Sequence, residues 1–548
     1  MQPTFASLAP TTLSTSSADI TPVPGPFARV ILAHALLLGV AADVLMRDGR
    51  PGIAVPLWIG LAAITLVSLT RRDGRGVGAE PAGWLLTAVL FACGLAWRDS
   101  GILQTFDMFA AIGSLAMAAI AIGNTHAALL AAQFRNTVWA AAALGRQVAA
   151  GCAPLFLTEF LATRERGGGT SRLLPRLRAA LIAGMLLVIF GTLLRGADPI
   201  FASLVDLPDF DAGRFLSHGF VIGFYCWVAS GWAVGALGTR LRARRAPSSF
   251  PFELSELDIT TALGTLNVLF AAFVVAQLGW LFGGESFLHE RTGLTAAQYA
   301  RQGFFEMAWV VLLVTPLLVV TRALLPADRA LERRHTLLSL PVIILLGAII
   351  LSAGIRMQLY VHYYGLTVDR FFPMVFMAWL GFVLAWLGVT VLRGRGRTFI
   401  AGVAVSGLAV LAALNVMAPD AIVARFNIAR AEHARGAVGT GPDLRHMSQL
   451  SGEAAALATR AVLTASADTV GSARRAEHDR ERCYAALKLL RRWGPTSQAA
   501  LRGESDGDWR FWNSGEKAAL RAVRAHSAEL RLVQHSACAV VPRAERDK

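Results

Sequence analysis

Lysine is nearly missing from the chain. It occurs only at Lys488, Lys517 and Lys548, so the net charge of +15 rests on arginine. Charged residues of either sign make up only 16% of the 548 positions, too few for a soluble protein of this length. There are five cysteines and no CxxC pair, which argues against a zinc or thioredoxin-like site. Residues 1–26 hold no Lys or Arg and are rich in Thr, Ser and Pro; they suit a disordered tail, because a signal peptide requires a basic n-region. The chain has no P-loop, no GxGxxG after a strand, no HExxH, no GxSxG and no His-rich metal spacing. No catalytic residue, metal ligand or cofactor can therefore be named.

Apolar residues are what the chain has in quantity, at 55% of positions and a mean hydropathy of +0.51. They fall into eleven runs, at 27–46, 53–70, 82–97, 102–123, 179–195, 216–237, 259–283, 303–324, 336–356, 371–392 and 398–417. A helix rises 1.5 Å per residue, so each run can cross a bilayer core of about 30 Å with some tilt or thinning. Ten-residue alternating segments, the mark of a membrane barrel, are absent. The expected fold is all-α: a polytopic transmembrane helix bundle of about 11 spans followed by a small α-helical C-terminal periplasmic domain.

The arginines orient the bundle. If the N-terminus is cytoplasmic, 21 of them fall in cytoplasmic loops and 9 in loops on the other side. The positive-inside rule then places the N-terminus inside and the C-terminus in the periplasm of a Gram-negative inner membrane. The same rule accounts for the basic balance without nucleic-acid binding. The segment 124–178 contains a stretch, Ala127–Phe160, that is apolar but broken by Arg135, Arg146, Gln147 and Glu159. It can be read as an interfacial amphipathic helix or as a further span. The arginine count favours the interfacial helix. The organisation is thus a tail (1–26), four N-terminal spans (27–123), the interfacial segment (124–178), seven spans (179–423) and a helical domain (424–548). In that domain the expected helices are 449–465, 472–493 and 515–533. Tyr484, Leu487 and Leu490 share a face, Gly494-Pro495 is a stop, and Asn513-Ser-Gly-Glu516 is a capping box. Cys483 and Cys538 are the two cysteines of this domain, and an oxidising periplasm would allow a disulfide between them.

Polar side chains are costly inside a bilayer, so their positions carry information. By this topology Asp43, Asp107, Gln277, Glu306 and Arg356 lie near the outer ends of their spans, with Tyr299, Arg301, Tyr360, His362, Tyr364 and Arg370 in the adjoining loops. Two readings stand: one polar cavity open to the periplasm, or separate end effects of snorkelling and interface aromatics. Within the cluster Glu306 is expected to pair with Arg356 or Arg370, because spans eight and nine are joined by a short connection. Arg356, Tyr360 and Tyr363 would share a face if the ninth helix continues past 356.

Seven short motifs occur in one order. They are Ala197-Asp-Pro-Ile-Phe201, Gln277-Leu-Gly-Trp-Leu-Phe-Gly-Gly284, Tyr299-Ala-Arg-Gln-Gly-Phe-Phe-Glu306, Tyr364-Gly-Leu-Thr367 with Arg370, Asn427-Ile-Ala-Arg430, Asp443-Leu-Arg-His-Met-Ser-Gln-Leu450 and Asp508-Trp-Arg-Phe-Trp-Asn513. Together they resemble a bacterial family of multi-pass membrane proteins, domain-of-unknown-function family 4173, over roughly 179–515. The resemblance implies an inner-membrane protein with no assigned activity. The expected role is non-catalytic: envelope sensing, scaffolding or regulation. The alternatives are a transporter or lipid-handling protein using the outer polar cluster, and an enzyme acting on a lipid-linked substrate. The expected partners are the bilayer and either lipid headgroups or another envelope protein bound through the tail.

Overall fold

The computed structural model describes residues 25–47, 52–123, 134–153, 155, 183, 212–237, 254–292, 304–326, 328–394, 397–433, 442–465, 472–497 and 508–539. Among them every extended regular element is a helix. The first eleven are α1 (Gly25–Met46), α2 (Ala54–Arg72), α3 (Ala79–Trp97), α4 (Gly101–Gly123), α5 (Phe134–Ala150), α6 (Ala212–Leu237), α7 (Glu256–Thr292), α8 (Phe304–Ala323), α9 (Arg329–Tyr364), α10 (Val368–Thr390) and α11 (Arg397–Met417). The C-terminal set is α12 (Pro419–His433), α13 (Leu444–Gln449), α14 (Ala455–Thr464), α15 (Ser472–Trp493), α16 (Ser514–Ala525) and α17 (Ser527–Ala539). Ten helices, α1–α4 and α6–α11, are long and apolar enough to cross a membrane. Large apolar side chains such as Phe109 (70% exposed), Phe220 (74%) and Val268 (72%) point away from the protein, as they do where hydrocarbon is the solvent. The chain is a multi-pass membrane protein. The apolar run 179–195 lies outside the described residues.

The membrane helices form two cores. One joins α1–α6 with part of α11, through Ile31, Leu66, Leu95, Leu103, Leu155 and Leu414. The other joins α7–α10, through Leu263, Leu318, Leu346 and Leu387. Small residues let backbones approach closely. A Cβ on Gly39 would meet the Ile222 carbonyl of α6 at 2.5 Å. A Cβ on Gly231 would run into the Gln147 carbonyl of α5.

Of the segment 124–178, residues 134–153 and 155 are described, and they include α5. Leu144, Gln147 and Gly151 meet Gly235, Gly231 and Trp227 in turn, so α5 runs antiparallel along α6. The indole of Trp227 donates to the Ala149 carbonyl at 3.1 Å. Trp227 is ten residues from the end of α6, so α5 reaches about 15 Å up its neighbour. This face of α5 packs on a neighbouring helix.

The C-terminal helices cover one end of the bundle, called here the tail face. The α1–α2, α3–α4 and α9–α10 connections and the end of α11 gather there. The opposite face holds the α2–α3 loop, where Arg75 donates to Leu237 at the end of α6 (2.9 Å), and the Leu254–Leu324 contact. These two groups are the loop sets that the arginine count separates. α4 ends on the opposite face, and α6 begins on the tail face beside Asp43.

α9 has 36 residues and is about 54 Å long, longer than a bilayer core is thick. Its last turns therefore project on the tail face, carrying Arg356 to Tyr364 with them. Gly365 ends it with φ +78°, a conformation that glycine adopts without strain.

In the tail, Val423 and Ala424 of α12, Met447, Val462, Ala486, Leu489, Trp493 and Leu530 form a third core, joined by Val361 and Leu366 from the α9–α10 region. The buried face of α15 runs through Cys483, Ala486, Leu489 and Trp493; Tyr484, Leu487 and Leu490 lie beside it, half-buried. The expected last helix is two, α16 and α17, with a break at His526. Cys483 on α15 and Cys538 on α17 form a disulfide, their Cα atoms 5.0 Å apart.

Candidate functional site at the tail face

Among the described residues, those singled out in the sequence form several local partnerships. Asp43, near the end of α1, accepts from Arg47 one turn on and lies 2.5 Å from His218 Nδ1 on α6. Asp107 on α4 is fully buried and accepts from Asn415 Nδ2 on α11 at 2.7 Å. Gly94 on α3 makes room for the pair, since a Cβ there would lie 2.8 Å from the Asp107 carboxyl carbon. Gln277 on α7 accepts from Ser352 on α9 and reaches Met307 on α8, tying three helices. Each of these groups is used within the bundle to satisfy a polar neighbour.

Arg370 lies 4.2 Å above the Tyr360 ring, and Tyr360 and Tyr364 are in ring contact at 4.9 Å. Its guanidinium also donates to the carbonyls of Tyr364 and Gly365, closing the end of α9. His362 and Tyr363 are exposed, and their carbonyls face Arg430 of α12 at 3.4 Å each. α9 does continue helically past 356, so Arg356, Tyr360 and Tyr363 are on one helix, but with very different exposure: Arg356 is buried and Tyr363 is 51% exposed.

The expected pairing of Glu306 is corrected. Glu306 is exposed, Arg356 is buried, and among the described residues Glu306 forms no ion pair with Arg356 or Arg370. Equal depth on neighbouring helices does not set the direction of a side chain. Arg356 lies with Ala353 and Met357 on the buried face of α9, and Glu306 is on the open side of α8. Tyr299 and Arg301 lie outside the described residues.

The densest polar junction was not singled out as a site. It centres on Asp99, in the three-residue turn between α3 and α4. Its carboxylate accepts from the Gly452 N–H at 2.8 Å and from Arg492 at 3.4 Å, and its own N–H donates to Glu453 Oε1 at 2.6 Å. Asn513 adds two bonds from its amide, to the carbonyls of Leu95 (2.9 Å) and Arg98 (2.8 Å), while its Oδ1 caps α16 through the Glu516 N–H. Arg510 donates to the Val44 carbonyl, and the Ile53 N–H donates to Trp512 O at 3.1 Å. Asp420, at the start of α12, accepts from the Ser451 N–H at 3.1 Å. Tail residues 452, 453, 492 and 510–513 thus grip the ends of α1 to α4. Burial is the main cause that lifts the Asp99 carboxyl to about 6, against the pull of the Gly452 N–H and Arg492.

A second grip involves Asn427 of α12. Its Oδ1 accepts from the Leu366 N–H at 3.0 Å and its Nδ2 donates to the Leu366 carbonyl at 2.7 Å. Two of the sequence motifs, Tyr364–Thr367 and Asn427–Arg430, therefore meet in one joint. A third, Asp508–Asn513, is the grip on α1 to α3. Those motifs were the signal that could have located the site, but sequence order alone does not say which motif touches which.

The family described as Domain of unknown function (DUF4153) matches residues 85–461, more than half of the chain. The chain belongs to this family. The number 4173 is thereby corrected: the expectation of an unknown-function family stands, its number does not. The DUF4153 region starts within α3, well before the expected start near 179, and takes in Asp99, Asn427 and Glu453. It ends before Arg492 and Asn513, so the tail's half of the grip is only partly within it. Neither the curated proteins nor the solved structures contain a match to the chain.

Proposed function

We propose that this DUF4153 protein is a non-catalytic coupling element of the bacterial inner membrane, in which a periplasmic helical tail and the helix bundle report each other's state. The observation that supports this reading is the junction at Asp99: Gly452, Glu453, Arg492 and Asn513 of the tail hold the α3–α4 turn through backbone and side-chain bonds. A tail joined in this way can bias the helix ends when it binds something, and the helices can bias the tail. The distribution of the polar groups supports the same reading. A transporter or an enzyme acting on a lipid-linked substrate calls for carboxylates around a shared cavity, whereas Asp43, Asp107 and Gln277 are each engaged on different helices. The arginine distribution supports a cytoplasmic N-terminus and periplasmic tail. Another envelope protein is the proposed partner of the tail.

Complementation tests this. In a deletion strain grown under detergent and osmotic challenge, Asp43→Asn and Glu306→Gln should restore growth, whereas Asp99→Ala with Asn513→Ala should not, at equal protein level. Loss of complementation by a single carboxylate variant that is stably folded, with full activity of the junction variant, would favour transport or catalysis instead.

A further inference from the structure

A cleft of about 560 Å³ opens where α9, α10 and α12 meet, a volume in the usual range for a small-ligand site. It lies at the junction of all three cores. Phe371 packs against the first and third, Met374 against the second and third, and Val375 against the first. Its wall on α10 is Phe371, Met374, Val375 and Ala378, spaced i, i+3, i+4, i+7, so that one apolar stripe descends about 10 Å from the helix start. On the other walls the polar lining side chains are Gln358 and His362 of α9, one turn apart, and the apolar ones are Val361, Leu366 and Phe426. On α9 Val361 lines the cleft with the exposed His362 beside it, and on α12 Phe426 lines it with exposed Arg430 one turn further on. Arg430 donates to the His362 carbonyl at 3.4 Å, which brings its guanidinium to an α9 residue that lines the cleft.

An apolar stripe on α10 beside a guanidinium and an imidazole at the helix ends has the polarity of a phospholipid. The geometry points to a bound phospholipid of the tail-side leaflet, with one acyl chain in the cleft against Phe371, Val375 and Ala378 and its phosphate on Arg430 and His362. Arginine suits a phosphate through paired N–H donors, and the imidazole N–H adds a third. The site is independent of the coupling role proposed above and of which compartment the tail faces. A lipid there would touch all three cores at once.

Native mass spectrometry of the detergent-purified full chain, titrated with phosphatidylglycerol, tests the assignment. The wild type should retain one phosphatidylglycerol under conditions that strip the others. Ala378 is exposed, so Ala378→Trp fills the cleft without disturbing a core; it should weaken retention about tenfold, the scale of a few displaced methylene contacts. Arg430→Gln should weaken phosphatidylglycerol severalfold while leaving dodecyl maltoside binding unchanged. Should Ala378→Trp not fold, Phe426→Ser, at a position 42% exposed, opens the same wall and should also weaken retention. Undiminished retention in the folded variants, or a wild-type cleft that carries only detergent or a peptide, overturns the proposal.

Discussion

Asn427 holds Leu366 by both atoms of its amide, accepting from the N–H at 3.0 Å and donating to the carbonyl at 2.7 Å. Both residues are buried, and the bond pair fastens α12 to the turn that leaves α9. Asn427→Leu strands two buried backbone groups and should destabilise by about 2 to 3 kcal/mol. Asn427→Asp keeps the acceptor and loses the donor, so it should fall between. Thermal unfolding midpoints in detergent should rank wild type, Asp, Leu; equal midpoints for all three would mean the joint carries no stability.

The Cys483–Cys538 disulfide closes a loop of 55 residues within the tail. Removing it with Cys483→Ser and Cys538→Ser should cost about 2–4 kcal/mol. It also reports location, because such bonds persist in oxidising compartments. In intact spheroplasts an impermeant maleimide should label this pair only after external reduction. Labelling without reduction would show free thiols; because both cysteines are buried, no labelling after reduction places the tail inside only if the same reduction labels the pair once the membranes are opened.

Docking should depend on pH. Burial lifts the Asp99 carboxyl from 3.8 to about 6. Burial, with Asp443 and Glu477 nearby, lifts Glu481 in α15 from 4.5 to about 7. The folded form therefore holds protons that the opened form releases between about pH 4 and 7. Tail stability should be highest near the acid end of that window and fall as pH rises through it. Limited proteolysis of the tail across pH 5 to 8 should show faster cleavage at higher pH, and Asp99→Asn should flatten the profile. Faster cleavage at lower pH would contradict the assignment.

Much of the architecture was legible in the sequence because its signals are local. Apolar runs gave ten membrane helices among the described residues, eight of them within a few residues of their ends, while α7 and α9 run seven to nine residues past theirs; Asn513 is legible as a helix cap from its own neighbours. What needed three dimensions was pairing. Glu306 and Arg356 share a depth but not a direction, and nothing in the spacing of two separate helices sets their rotation. Nothing in the local sequence marks Asp99, because its partners Gly452 and Arg492 are hundreds of positions away. α5 was read by its amphipathic pattern, which does not distinguish a lipid surface from a neighbouring helix such as α6.

The account rests on the tail being docked on the ends of the membrane helices, and one crosslink tests it most directly. The Ile53 N–H and Trp512 carbonyl are 3.1 Å apart, so cysteines at these positions are close enough to bond on mild oxidation. With Ile53→Cys, Trp512→Cys and a protease site inserted between His433 and Pro442, the native disulfide stays within one fragment. After cleavage in native membranes the two fragments should migrate together without reductant and apart with it. Fragments that separate under both conditions, with both introduced thiols fully labelled by maleimide, would show that the tail is not docked.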